Sequence, residues 1–128
     1  MGEHMNDTVL QKFLAEMPEL PEFTGISPVG VHTRGGWQNT PLHVAAVRGD
    51  LAAIAALLDA GADIQSRGED GYSPLHEVAE QGHIEAVKLL LERGASLTAT
   101  NDAGRTPIQT AQLLKNHETE RLLQTHSA

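Results

Sequence analysis

The side chains of this chain that could do chemistry are its seven histidines and the hydroxyls near them. A helical metal site needs two histidines four residues apart with a carboxylate nearby. His4, His32, His43, His76, His83, His117 and His126 include no such pair. Ser73, His76 and Glu77 could be imagined as nucleophile, base and orienting acid. Ser73, however, stands directly before Pro74, where its hydroxyl is expected to cap a helix. No strand–elbow–helix pattern surrounds it, as an exposed nucleophile requires. Gly35-Gly36 runs into Trp37 and lacks the lysine and hydroxyl residue of a phosphate-binding loop. There is no cysteine, so disulfides, thiolate zinc sites and a cysteine nucleophile are all excluded. No catalytic, metal or cofactor residue is expected, and the chain is not expected to be an enzyme. The missing cysteine fits a reducing compartment, and a cytoplasmic location is expected.

Charge and composition narrow the partners. The formal net charge of -8 over 128 residues argues against a nucleic-acid binder, whose affinity normally comes from a basic face. It would speed encounter with a basic partner. Aromatic residues make up 3% of the chain, namely Phe13, Phe23, Trp37 and Tyr72. The core must therefore be filled by Leu, Ile, Val and Ala, which favours closely packed helices in one domain. The start has no basic segment followed by an apolar one, and no apolar run approaches membrane-spanning length. Residues 1–5 read as a cloning remnant, with Met5 a natural start, and residues 1–4 are set aside for the fold.

The elements that position these residues repeat. Thr40-Pro41-Leu42-His43 recurs as Ser73-Pro74-Leu75-His76 and as Thr106-Pro107-Ile108-Gln109, each time 33 residues on. Gly49 and Gly82, Leu57-Leu58 and Leu90-Leu91, Gly61-Ala62 and Gly94-Ala95, and Gly71 and Gly104 keep that period. Internal repetition of this length signals a stacked architecture. The hydroxyl residue is a helix N-cap, and Pro takes the first helical position, where its missing N–H costs nothing. A short helix of about 41–48 ends at Gly49. A second, of about 51–60, carries Leu51, Ile54, Leu57 and Leu58 on one face. Residues 62–69 should then run extended and turn near Asp70-Gly71. Such a unit cannot bury its apolar face alone.

The pattern Thr-Pro-Leu-His-x-Ala, a mid-unit glycine and a Leu-Leu-x-x-Gly-Ala close resembles the ankyrin repeat. The resemblance covers residues 28–128. The third unit departs from it, with Gln109 for His, Lys115 for the mid-unit Gly and no closing Gly-Ala. What the resemblance implies is an all-α solenoid of stacked helix-turn-helix units with projecting β-hairpin loops. The units fall at about 31–70, 71–103 and 104–128, after an N-terminal capping helix and Pro/Gly connector over 6–30. Thr8 to Met17 is the expected capping helix, with Val9, Leu10, Phe13 and Leu14 on one face and Asp7 as its N-cap. Glu120 and Gln124 stand where earlier units have apolar residues, so 106–126 should be the polar cap that terminal repeats need.

The resemblance also implies that His43 and His76 are structural, their rings bonding to backbone of the neighbouring loop. It further implies protein binding through hairpin tips and the exposed sides of the short first helices. On this chain the binding residues would be Arg34, Trp37, Asn39, Val47, Arg48, Arg67, Glu69, Asp70, Tyr72, Glu77, Glu80, Gln81, Asp102 and Arg105. Val44, Thr110, Leu113 and Leu114 share the same helix faces. The tip charges read as mixed, which suits a polar contact with one folded protein bound by a monomer, with the chain as adaptor or inhibitor. An inhibitor of a basic toxin or nuclease and a self-associating structural module are the alternatives. Trp37 could instead fold back as a lid on the connector.

Overall fold

The computed structural model describes residues 2–127, with side chains from position 7 to 126. Among the described residues there are seven helices. They are α1 (Gly2–Glu16), α2 (Pro41–Arg48), α3 (Leu51–Asp59), α4 (Pro74–Gln81), α5 (Ile84–Glu92), α6 (Pro107–Leu113) and α7 (His117–Ser127). After α1 they pair as α2/α3, α4/α5 and α6/α7. The short members α2, α4 and α6 stack in an inner row, and α1, α3, α5 and α7 stack in an outer row.

Local chemistry sets the start and stop of each inner helix. Pro41, Pro74 and Pro107 occupy the first turn, after the N-caps Thr40, Ser73 and Thr106. His43 Nδ1 accepts the Thr40 N–H at 3.1 Å, and His76 Nδ1 accepts the Ser73 N–H at 3.2 Å. Each ring thus plays the part of the glutamate in a capping box. An accepting Nδ1 places the ring proton on Nε2. From there His43 donates to the carbonyls of Ser66 at 3.1 Å and Tyr72 at 2.9 Å, and His76 to that of Arg105 at 2.8 Å. One side chain caps its own helix and holds the next loop. Burial lowers the pKa of both rings, which keeps them neutral. Gln109 supplies only the capping half, accepting the Thr106 N–H at 2.9 Å. Gly49 ends α2 with φ 67°, and a Cβ there would also meet the His83 ring at 2.7 Å.

Packing follows the same period. Leu57, Leu90 and Leu123 lie in register and are fully buried, together with Leu42, Leu75, Ile54, Val78 and Val87. Buried alanines, among them Ala45, Ala46, Ala53, Ala79 and Ala86, let the rows approach closely. α7 closes one end with Thr119 and Leu123 turned inward, while Glu120 accepts from Gln112 and Gln124 on its outer side. α1 closes the other end against α3. It starts at Gly2, so Asp7 lies inside the helix and is not its N-cap. No Pro or second Gly within residues 3–7 interrupts it. Two 3₁₀ turns, Met17–Glu19 and Pro21–Phe23, then bring Met17 and Phe23 into the core.

The expected β-hairpins form no strand among the described residues. Each loop, here called a finger, is a tight turn closed at its base by one backbone hydrogen bond. These run from Gly35 N–H to Asn39 O (2.8 Å), Gly68 N–H to Tyr72 O (2.9 Å) and Asn101 N–H to Arg105 O (2.9 Å). The fingers are too short for a ladder, and side chains with one backbone hydrogen bond tie them together. Arg34 donates to Arg67 O at 2.8 Å, Arg67 pairs with Asp102 at 2.9 Å, and Asp102 N–H meets Asp70 O at 2.9 Å.

Leu57→Ala or Leu90→Ala, each opening a cavity in the shared core, should cost about 2–5 kcal/mol. Urea unfolding followed by far-UV circular dichroism measures this, and a loss below about 1 kcal/mol would contradict the packing described.

Candidate functional site

The inner helices turn one side into the stack and leave the other open. Three rows cross this open, concave side at the repeat spacing. They are Val44, Glu77 and Thr110; Val47, Glu80 and Leu113; and Arg48, Gln81 and Leu114. Val44 and Thr110 sink into the surface, whereas Val47, Leu113 and Leu114 stand out at 41%, 59% and 48% exposure. Trp37 lies at the tip of the first finger, in the 3₁₀ turn Gly36–Gln38, and is 59% exposed. Its backbone is strained. Trp37 and Gln38 have φ 61° and 68°, where the second finger carries Asp70 at φ 56° and Gly71 at φ 72°. A bulky residue in the left-handed region costs about 1–2 kcal/mol, and here no burial offsets it.

A cleft of about 340 Å³ runs between the connector and the inner row, lined by Leu20, Glu22, Asn39, His43, Val44, Val47, Arg48, Glu69 and Glu77. A second, of about 200 Å³, adjoins it and is lined by Glu69, Asp70, Tyr72, Glu77 and Glu80. Glu69 and Glu77 wall both. Five carboxylates therefore face the concave side: Glu22, Glu69, Asp70, Glu77 and Glu80. Burial, reinforced by Glu80, Glu69, Glu22 and Asp70, pushes the Glu77 pKa up to about 8. Burial likewise raises the Tyr72 pKa, and its phenol hydrogen-bonds to Glu80. The Tyr72 ring stands 5.5 Å from that of His76.

The expected site divides on this surface. Trp37, Val47, Glu69, Asp70, Tyr72, Glu77, Glu80 and Gln81 reach the concave side or the finger tips. Asn39 does not belong with them. It is 7% exposed, donates to Glu22 at 3.2 Å and accepts the Glu69 N–H at 2.9 Å, bridging connector and second finger. Arg34 lines a separate cleft with Val31, His32, Thr40, Asp63 and Ser66. Arg67 and Asp102 are engaged with each other along the fingers. Arg48 lies 5.7 Å over the Phe13 ring and 3.4 Å from Glu16, tying α2 to α1. Arg105 is exposed at the third finger. Both signs of charge thus reach this surface, with Arg48 in the lining of the larger cleft and Arg105 exposed at the third finger. Arg34, Arg48 and Arg67 are engaged in contacts between elements, whereas Glu77 and Glu80 have no ion-pair partner among the described residues.

Leu20 and Glu22 line the cleft without having been expected there. The available signal was the three-residue spacing of Met17, Leu20 and Phe23, the period of a 3₁₀ turn. Among the described residues no group of three or more His, Asp or Glu side chains is arranged to hold a metal ion.

Stacked helical pairs with periodic capping histidines and an open inner row define a helical repeat protein. The family model for ankyrin repeats (3 copies) matches residues 6–101 and 42–128. The chain belongs to the ankyrin-repeat family. Ankyrin repeats are protein–protein interaction modules, and proteins built from them are typically not enzymes. No curated protein matches the chain. Among the described residues no helix is long and apolar enough to cross a membrane.

Glu77 makes stability depend on pH. Its carboxyl keeps a proton to about pH 8 when folded and loses it near 4.5 when unfolded. Its contribution is complete below 4.5 and drains away as pH rises through 8. Above about pH 7.5 the lowered imidazoles of His43 and His76 are neutral when folded and, with an ordinary value of 6.5, mostly neutral when unfolded, so the carboxyl dominates there. Urea titrations from about pH 7.5 to about pH 9 should show falling stability. Glu77→Gln should remove the slope and gain about 1–3 kcal/mol at the alkaline end. An unchanged slope would contradict the desolvated cleft.

Proposed function

We propose that this chain binds one folded protein through its concave face and finger tips, as an adaptor or inhibitor, and acts as a monomer in the cytoplasm. The carrying observation is where the large apolar side chains lie exposed. Of Trp37, Val47, Leu51, Leu113 and Leu114, all but Leu51 stand on the fingers or the inner helices. Solvated helix faces elsewhere carry charge, so this concentration is not a general property of the surface. Trp is among the side chains that dominate interface energies. The strained turn under Trp37 supports the same reading, because strain without local compensation gathers at functional positions. The carboxylates of the cleft disfavour a phosphate backbone and suit a basic protein.

Inhibition of a basic toxin or nuclease is the version that the acidic cleft and the net charge of -8 favour. Self-association would put these apolar residues against a second copy. Concentration-dependent light scattering separates the two, a constant monomer mass removing the second.

Trp37→Ala should weaken the complex with a stoichiometrically captured partner by about 2–4 kcal/mol, read by calorimetry. The melting temperature should stay the same or rise slightly. Melting of the free protein by the substitution, or unchanged affinity, would overturn Trp37 as an anchor.

A further inference from the structure

The concave rows differ in chemistry from one repeat to the next. The first presents Val44 and Val47, the second Glu77 and Glu80, and the third Leu113 and Leu114. Apolar ground thus flanks an acidic centre. The central carboxylates have no ion-pair partner among the described residues. Arg67 is held by Asp102, and Arg48 by Glu16. A cation that meets Glu77 and Glu80 must come from outside, and at Glu77 it displaces the proton that the free chain holds to about pH 8.

Resting on the reading of the concave face as a protein-binding surface, we propose that it receives an amphipathic helix of the partner. A lysine or arginine at its centre meets Glu77 and Glu80. An apolar residue one heptad to either side meets Val47 at one end and Leu113 and Leu114 at the other. Spacing selects the helix. Packed helices lie about 8–10 Å apart, so each concave row is about that far from the next. Seven residues of α-helix advance about 10.5 Å and return to nearly the same face. An extended segment covers that distance in about three residues, which turns its side chain to the opposite face. A strand would therefore place its basic residue in the cleft and its apolar residues away from the flanking rows. Charge complementarity fixes the centre, because four carboxylates, Glu69, Asp70, Glu77 and Glu80, line the cleft there, and carbonyls or other carboxylates hold the nearby guanidiniums.

The test uses synthetic helical peptides of about 21 residues, long enough to cross three rows. One carries Leu, Arg and Leu at heptad spacing. A second has Glu in place of the Arg, and a third has the Leu residues moved two positions toward the centre. Calorimetry at about 50 mM and about 300 mM salt should show the first peptide binding, and more weakly at high salt. The Glu peptide and the compressed peptide should each bind at least about tenfold more weakly, the discrimination of one desolvated charge or contact. The double variant Glu77→Gln, Glu80→Gln should lose about tenfold for the Arg peptide and Leu113→Ala several-fold, with circular dichroism confirming that both are folded. Equal binding of the Glu and Arg peptides, no effect of either variant, or no binding of the Arg peptide would overturn the proposal. In each of those cases the Trp37→Ala experiment on a captured partner still decides the broader reading.

Discussion

A helix pair of this length has too little neighbour of its own to remove its apolar face from water. That constraint organises the whole molecule. Leu57, Leu90 and Leu123 are fully buried because each sits between its own pair and the next. Small residues line the contacts, so backbones come close and the larger leucines fill what remains. The two ends of the stack are closed differently. α1 and the 3₁₀ turn after it bring Phe13 and Met17 to one side, and α7 turns a polar face outward at the other. With the seam shared between layers, the concave side is left without a partner inside the chain.

Polar contacts follow the apolar period and set the register. His43 and His76 each satisfy both ring nitrogens, which is what makes a fully buried imidazole tolerable. A second periodic stitch closes the inner helices from behind. His83 Nε2 lies 2.8 Å from Val47 O, and Asn116 donates to Ala79 O and Glu80 O at 3.0 and 2.9 Å. His83 and Asn116 are 33 residues apart, so each next unit adds partners for the last carbonyls of its predecessor's inner helix, beside the glycine caps. The same stitching explains the charge of the concave face. Arginines near the fingers reach carbonyls or carboxylates along the stack, and the acidic side chains that remain accumulate in the cleft. Desolvation there is strong enough to hold a proton on Glu77 to about pH 8.

Much of this was legible because it is local or strictly periodic. The Thr/Ser-Pro starts, the glycine at the end of α2 and the leucine register are all readable from spacing. Three features were not. Spacing puts Asn39 at a finger but does not say which way its side chain leaves the chain, and it turns inward to hold Glu22 and Glu69. The direction of Arg34 and Arg67 was hidden for the same reason, since it depends on a neighbouring finger 33 residues away. In the connector Pro18 and Pro21 break any helical pattern, yet its 3₁₀ turns place Leu20 and Glu22 in the cleft. Lys115 shows the reverse case. It departs from the glycine of earlier units and still adopts φ 60°, so the packed ends of α6 and α7 override its local preference.

Removing the terminal unit tests the shared seam most directly. A chain ending at residue 105 would leave the inward faces of α4 and α5 open. Its far-UV ellipticity, read at low concentration, should fall for α2 to α5 as well as for the helices deleted. A shortened chain that keeps the helicity of those four elements and unfolds at the urea midpoint of the full chain would contradict the account.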